Sequence, residues 1–303
     1  MQRIQALAAA LVVAVAFSHR AHMSSAQPPP LRVGFAKIDI TPDVEQDRPV
    51  RIAGYGQNRR AVGVHDPLYA IALVLSDGER TVALASVDLI GLQLQDVQRI
   101  RDRLQRFDYV LVSSTHNHEG PDVIGIWGPN PITSGVDAEY VDAVVQKTAD
   151  CIREAASDLK PADASYGTAI VPDEWLRDSR LPIVRDDTLR VVMFRDPGDQ
   201  RPVVLLVQYS CHPETLGSRN TQITADFPFA TLAALRERYD CPIAYFTGAV
   251  GGLMSNPSEF TDAEGQVYND GTFAYADAYG KSIADLVVQA VEGSEPVDMT
   301  PMR

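Results

Sequence analysis

Positive charge is in short supply here: 27 Lys and Arg stand against 40 Asp and Glu, for a formal charge of -13. Such an acidic chain is excluded as a nucleic-acid binder, because neutralising a phosphate backbone takes clustered cations. Cysteine is scarce as well. Cys151, Cys211 and Cys241 lie far apart with no CxxC pair, which excludes a disulfide framework and a cysteine zinc site. No G-x-G-x-x-G turn follows the first strand and no Walker loop occurs, which removes the dinucleotide and P-loop classes. No basic amphipathic helix marks a membrane-docking face. The one long apolar block, residues 6–17, is too short to form a stable membrane span.

What that block does fit is a secretory signal. Arg3 precedes it, and Ser24-Ser25-Ala26 follows it before Gln27 and a proline run, so the reading is cleavage near Ala26 and a secreted or periplasmic protein. Residues 27–303 are then one catalytic domain. With 45% hydrophobic and 22% charged residues, the chain has enough apolar content for a substantial core.

Periodicity supplies the elements. Residues 31–40 read as a first strand. The runs 70–75 and 81–87, joined across Ser76-Asp77-Gly78, read as a hairpin. Leu94, Val97, Ile100, Leu104 and Phe107 keep helical spacing, and a strand starts at Tyr109. Residues 137–159 form a second amphipathic helix stopped by Lys160-Pro161. Strands over 164–170 and 188–194 flank a polar connection that contains Arg180, and 202–209 is the most apolar strand. Asp226 caps a helix running toward Tyr239, and a strand over 242–246 enters the Gly248–Pro257 loop, read as a strand-to-helix turn. The fold class is α/β: one domain of mixed sheets covered by helices, with functional groups at strand carboxyl ends. The polar tail after Ala290 reads as loose.

Two apolar strands each deliver histidine, proline and carboxylate. The first ends in Thr115-His116-Asn117-His118-Glu119-Gly120-Pro121, the second in Ser210-Cys211-His212-Pro213-Glu214. Residues two apart on an extended chain share a face, so His116 and His118 are expected on one side. Glu119 and Asp122 are then candidates to orient the rings. Three imidazoles at two strand ends suit zinc, normally joined by a carboxylate or water. Asp88 closes another strand at the same end. The glycines Gly251 and Gly252 permit close backbone approach to a substrate or an oxyanion.

These motifs, together with Asp66-Pro67-Leu68-Tyr69, Ser86-Val87-Asp88 and Gly248-Ala249-Val250-Gly251-Gly252, resemble the neutral/alkaline non-lysosomal ceramidase family over residues 31–290. The resemblance implies a Zn2+ hydrolase that cleaves the amide of an N-acylsphingosine, a lipid amide substrate, with metal-activated water. It implies His116 and His212 as metal ligands, His118 as the neighbouring catalytic histidine and Arg180 as a site arginine. Full-length members add a glutamate and a tyrosine ligand from a segment beyond the glycine loop, and this sequence ends at Arg303 first. Glu259, Tyr268 and Asp226 are candidate substitutes that no motif of the family marks. The family's nucleophilic serine aligns with Met254, which leaves Ser255 one position late. The same residues also fit another exported metallohydrolase, acting on an ester or a carbohydrate, or a binding protein without catalysis.

Overall fold

The computed structural model describes residues 30–46, 48–251 and 254–303; the signal sequence expected over 1–26 and the contact expected from Gly252 lie outside them. The first half of the chain builds one sheet. Its strands are β1 (Arg32–Asp39), β2 (Tyr69–Ser76), β3 (Thr81–Val87), β4 (Tyr109–Ser114) and β5 (Lys160–Pro161), in the order β4-β3-β2-β1-β5. β1, β2 and β3 are antiparallel to one another in turn, β3 and β4 are parallel, and β5 returns antiparallel to β1. The β2–β3 turn forms because the Asp77 carboxylate accepts the N–H groups of Glu79 and Arg80 at 3.0 and 2.7 Å.

Helix α1 (Leu94–Asp102) crosses from β3 to β4. The helical spacing predicted a run to Phe107, but the chain leaves the helix after Asp102. Leu104 and Phe107 stay packed inside single turns, and the Asp108 carboxylate takes the Thr81 N–H at 2.7 Å, which starts the β3–β4 pairing. Helix α2 (Ala138–Ser157) opens on Asp137, whose carboxylate accepts the N–H groups of Glu139 and Tyr140. Its buried stripe of Val141, Val144, Val145 and Ile152 covers the alanine-rich outer face of the sheet.

The second half repeats the plan. β6 (Asp163–Ile170), β7 (Thr188–Arg195), β8 (Pro202–Tyr209), β9 (Ile243–Thr247) and β10 (Glu295–Val297) stand in the order β9-β8-β7-β6-β10. β6, β7 and β8 are antiparallel in turn, β8 and β9 are parallel, and β10 returns antiparallel to β6. Helices α3 (Phe227–Arg238) and α4 (Phe273–Glu292) cover the outer face. The inner faces of the two sheets meet through Val33, Leu73 and Leu75 on one side and Phe194 and Val204 on the other, so the molecule is layered helix, sheet, sheet, helix.

Two expectations are corrected here. The glycine loop leads into the two-residue strand Met254–Ser255, antiparallel to Arg177–Asp178, and not into a helix. The tail is tied down: β10 completes the edge of the second sheet, and the Met302 N–H donates to the Asp77 carboxylate at 2.7 Å. An exposed sheet edge has unpaired backbone groups to satisfy, and this stretch satisfies them. Among the described residues no helix is long and apolar enough to cross a membrane.

Candidate metal centre

The carboxyl ends of β4, β8 and β9 converge, and the Thr247 hydroxyl at the end of β9 donates to the Thr115 carbonyl after β4 at 2.6 Å. Around that link stand His116, His118 and His212. Their ring centroids are 4.7 to 5.4 Å apart, all pairs edge-on. One nitrogen from each lies within 4.8 Å of the others, and among the described residues no other histidine, cysteine or carboxylate joins such a group.

Two of the rings are oriented identically. His116 Nδ1 is 2.7 Å from the Ile90 carbonyl, and His212 Nδ1 is 2.7 Å from the Met254 carbonyl, which also accepts the His212 backbone N–H at 2.9 Å. A carbonyl only accepts, so both Nδ1 atoms carry the proton and each Nε2 presents a lone pair. Backbone carbonyls holding the distal nitrogen are a usual outer-shell arrangement for metal-binding histidine. Burial, chiefly, together with the neighbouring His212 lowers the His116 pKa, which keeps that ring neutral.

His118 differs. It is 8% exposed, and neither ring nitrogen has a hydrogen-bond partner. The nearest acceptor is the Glu214 carboxylate, 3.5 Å from Nδ1. Burial, then the flanking His116 and His212, push its pKa down to about 3. A protonated His118 ring would sit dry among two imidazoles and the Arg59 guanidinium. A buried, neutral, unpartnered imidazole between two pre-oriented ones fits a cation.

The geometry also corrects why these histidines converge. β4 ends at Ser114 and His116 takes φ 64°, the left-handed region, so strand alternation does not align the pair. Neither Glu119 nor Asp122 orients a ring. Glu119 pairs with Arg59 and Asn220, and Asp122 accepts the N–H groups of Ile124, Gly125 and Trp127. The Asp88 carboxylate is an internal brace, taking the Tyr69 N–H at 2.8 Å, and burial raises its pKa to about 7. Asp226 is the cap of α3 as predicted, with both oxygens engaged by Thr215 and Phe227, and it stands outside the histidine group. Glu259 and Tyr268 lie on a separate hairpin, where the Tyr268 hydroxyl donates to Asp262.

Ser255 is buried beside His212, bridged to it through the backbone, and its Oγ is 3.3 Å from Asn256 Oδ1. Arg180 is exposed, two residues past the strand that pairs with Met254–Ser255. Gly251 is exposed. The residues that pattern reading missed are Tyr55 and Arg59. The Tyr55 ring meets His118 edge-on at 5.2 Å, and its hydroxyl donates to the Glu214 carbonyl at 2.7 Å. The signal that could have found Tyr55 is its place between Gly54 and Gly56.

Residues 31–238 match the model of the neutral/alkaline non-lysosomal ceramidase family, N-terminal part. The chain is similar to the crystal structure of neutral ceramidase from Pseudomonas aeruginosa, with a TM-score of 0.74 and 17% identity over 88% of this chain and 45% of that one. It is likewise similar to a ceramidase complexed with C2, with a TM-score of 0.72 and 17% identity over 88% and 44%. At that identity the likeness is one of fold, and the chain spans under half the length of both. By the family match, the chain belongs to the neutral/alkaline non-lysosomal ceramidase family.

Proposed function

We propose that this member of the ceramidase family is an exported, zinc-dependent hydrolase of an N-acyl amide bond, with a lipid amide of the N-acylsphingosine type as substrate. The observation that carries the reading is the matched pair His116 and His212, each with Nδ1 fixed on a carbonyl and Nε2 free, facing the unpartnered His118. His116 and His212 would hold the metal. Zinc is the natural occupant of a site offering imidazole nitrogen and no thiolate. Once bound, it supplies a Lewis acid for the amide carbonyl and a water of lowered pKa.

The protein's own groups do the rest. A neutral His118 starts as a proton acceptor, takes the proton of the attacking water and hands it to the leaving nitrogen. The Glu214 carboxylate, 3.5 Å from Nδ1, steadies the ring while it carries that proton. Arg180 and the Gly251 and Gly252 amides are the oxyanion and substrate contacts in this reading. Ser255 is not needed as a nucleophile; beside His212 it shapes the loop whose Met254 carbonyl orients that ring. Export rests on the signal-like residues 1–26.

Elemental analysis of the purified protein, paired with hydrolysis of a short-chain N-acylsphingosine, tests the reading. About one zinc per chain, lost in His116→Ala and in His212→Ala together with turnover, is the expected result. A metal-free wild-type protein, or undiminished hydrolysis by His116→Ala, would sink it.

A further inference from the structure

His118 sits in a cage that neither strand of the metal centre builds. The turn Arg51–Arg60 folds back on it, and Arg59 lies at the middle, almost fully buried. Arg59 Nη2 donates to the carbonyls of His118 and Ala53 at 2.5 and 2.7 Å, and Nη1 donates to the Gly217 carbonyl at 3.2 Å. Nη1 is also 3.2 Å from the Glu119 carboxylate, which takes the Asn220 amide at 2.7 Å. The guanidinium stacks over the Tyr55 ring at 4.8 Å, and that ring meets His118 edge-on. Gly54 completes the enclosure at φ 100°: a Cβ there would stand 2.5 Å from the His118 Cβ, so only glycine leaves room.

This arrangement is costly for the fold. Two opposite charges are removed from water, and Arg59 Nε and Glu119 Oε1 still lack partners. Burial lowers the Arg59 pKa and raises that of Glu119, with their attraction opposing both shifts. A buried ion pair is weak as a source of stability and better suited to fixing one arrangement against others. The arrangement it fixes is the His118 backbone, through a carbonyl that no other side chain takes among the described residues.

We propose that Arg59, with Glu119 as its counter-ion, is the positioning residue of His118: it sets where the imidazole stands relative to His116 and His212 and touches no reacting atom itself. This rests on the amide-hydrolase reading for its kinetic consequence, while the ring placement can be read without turnover.

Two variants test it. In Arg59→Lys, one ammonium cannot serve three carbonyls and a carboxylate. In the paired Arg59→Met/Glu119→Gln, no unmatched charge stays buried. Zinc content, unfolding midpoint, kcat, KM and the 15N imidazole signals of His118, His116 and His212 are compared with wild type. The expected result is retained zinc, a kcat lower by about 100-fold with KM little changed, and displaced or broadened His118 signals while those of His116 and His212 hold. If the paired variant fails to fold, Arg59→Lys decides. Wild-type kcat and His118 signals in folded Arg59→Lys overturn the proposal, and so does loss of zinc and midpoint together, which marks a merely structural role. Should the wild type prove inactive, the amide-hydrolase reading falls, and the imidazole signals alone still decide this one.

Discussion

The two halves of the sandwich follow one plan strand for strand, yet they reach the metal centre by opposite routes. In the first half His116 follows β4, the parallel edge strand, and the carbonyl that orients it, Ile90, follows the inner strand β3. In the second half His212 follows the inner strand β8, and its orienting carbonyl, Met254, follows the edge strand β9. Imidazole and clamp have exchanged strands. The exchange shows that what the site requires is a parallel strand pair with two loops at one end, one to carry an imidazole and one to hold it. Either strand serves for either task. The histidine cluster is thus a seam between two like units, stitched where Thr247 reaches the Thr115 carbonyl.

The largest effect expected from breaking this comparison is at the ligands. If the halves contribute equally, His116→Ala and His212→Ala lose the same activity. Losing several kcal/mol of metal-derived stabilisation corresponds to roughly 10³-fold or more. Hydrolysis and zinc retention measured side by side check this, and a variant of either half that keeps its zinc would break the equivalence.

Next come the helices that cover each sheet. A Cβ on Gly34 would stand 1.9 Å from the Ala155 carbonyl of α2, and one on Gly167 would stand 1.9 Å from the Ala290 carbonyl of α4. Both contacts are with helix backbone, which cannot step aside cheaply. Gly34→Ala and Gly167→Ala are each expected to cost about 3 kcal/mol, the upper range for overpacking. Urea unfolding reads both, and a loss confined to one half would show that the other sheet can give.

Such symmetry was partly legible beforehand. Residues 202–209 were read as a strand to the residue, the Asp226 cap was visible, and the hairpin across Asp77-Gly78 was fixed by local turn chemistry. These features depend on neighbours in sequence. The histidine constellation was legible as residue types at strand ends. Its geometry was not, because the groups that aim His116 and His212 are backbone carbonyls, which every residue has. The cage around His118 was hidden for a related reason: Arg59 reaches His118 across 59 positions through a main-chain atom. The tail misled because its polarity looks like a disordered end, whereas its role is played by backbone pairing along β6.

A smaller effect sharpens the seam itself. Thr247→Val removes the hydroxyl that bridges the halves and keeps the shape of the side chain. The loss expected is about 1 kcal/mol in unfolding free energy, the usual net worth of one hydrogen bond, and about tenfold in zinc affinity, as for outer-shell changes elsewhere. A competition titration with a chelator checks the affinity. If only stability falls, the seam is structural and does not tune the metal centre.

The narrowest effect, confined to a window of pH, distinguishes the loops that end the two inner strands. After β3 stands Asp88, buried, with its pKa raised from 3.8 to about 7 chiefly by burial. After β8 stands Ser210, whose hydroxyl donates to Asp186, a carboxylate held below its ordinary range chiefly by Arg190. These two carboxyl groups should therefore respond oppositely to pH. A carboxyl whose pKa is raised on folding binds more protons in the native state, so its contribution is present in acid and declines as pH climbs from about 4 to about 7. Asp186, with its value lowered, contributes above its ordinary range and loses that contribution as pH falls. Asp88→Asn keeps an oxygen for the Tyr69 N–H and removes the titration. Its unfolding free energy should gain on the wild type by roughly 4 kcal/mol, about 1.4 for each pH unit, across that window and run parallel above it. Unfolding curves at pH 4.5, 6 and 7.5 read the difference; a gap that stays constant from acid to neutral would mean that Asp88 is ionised in the folded protein.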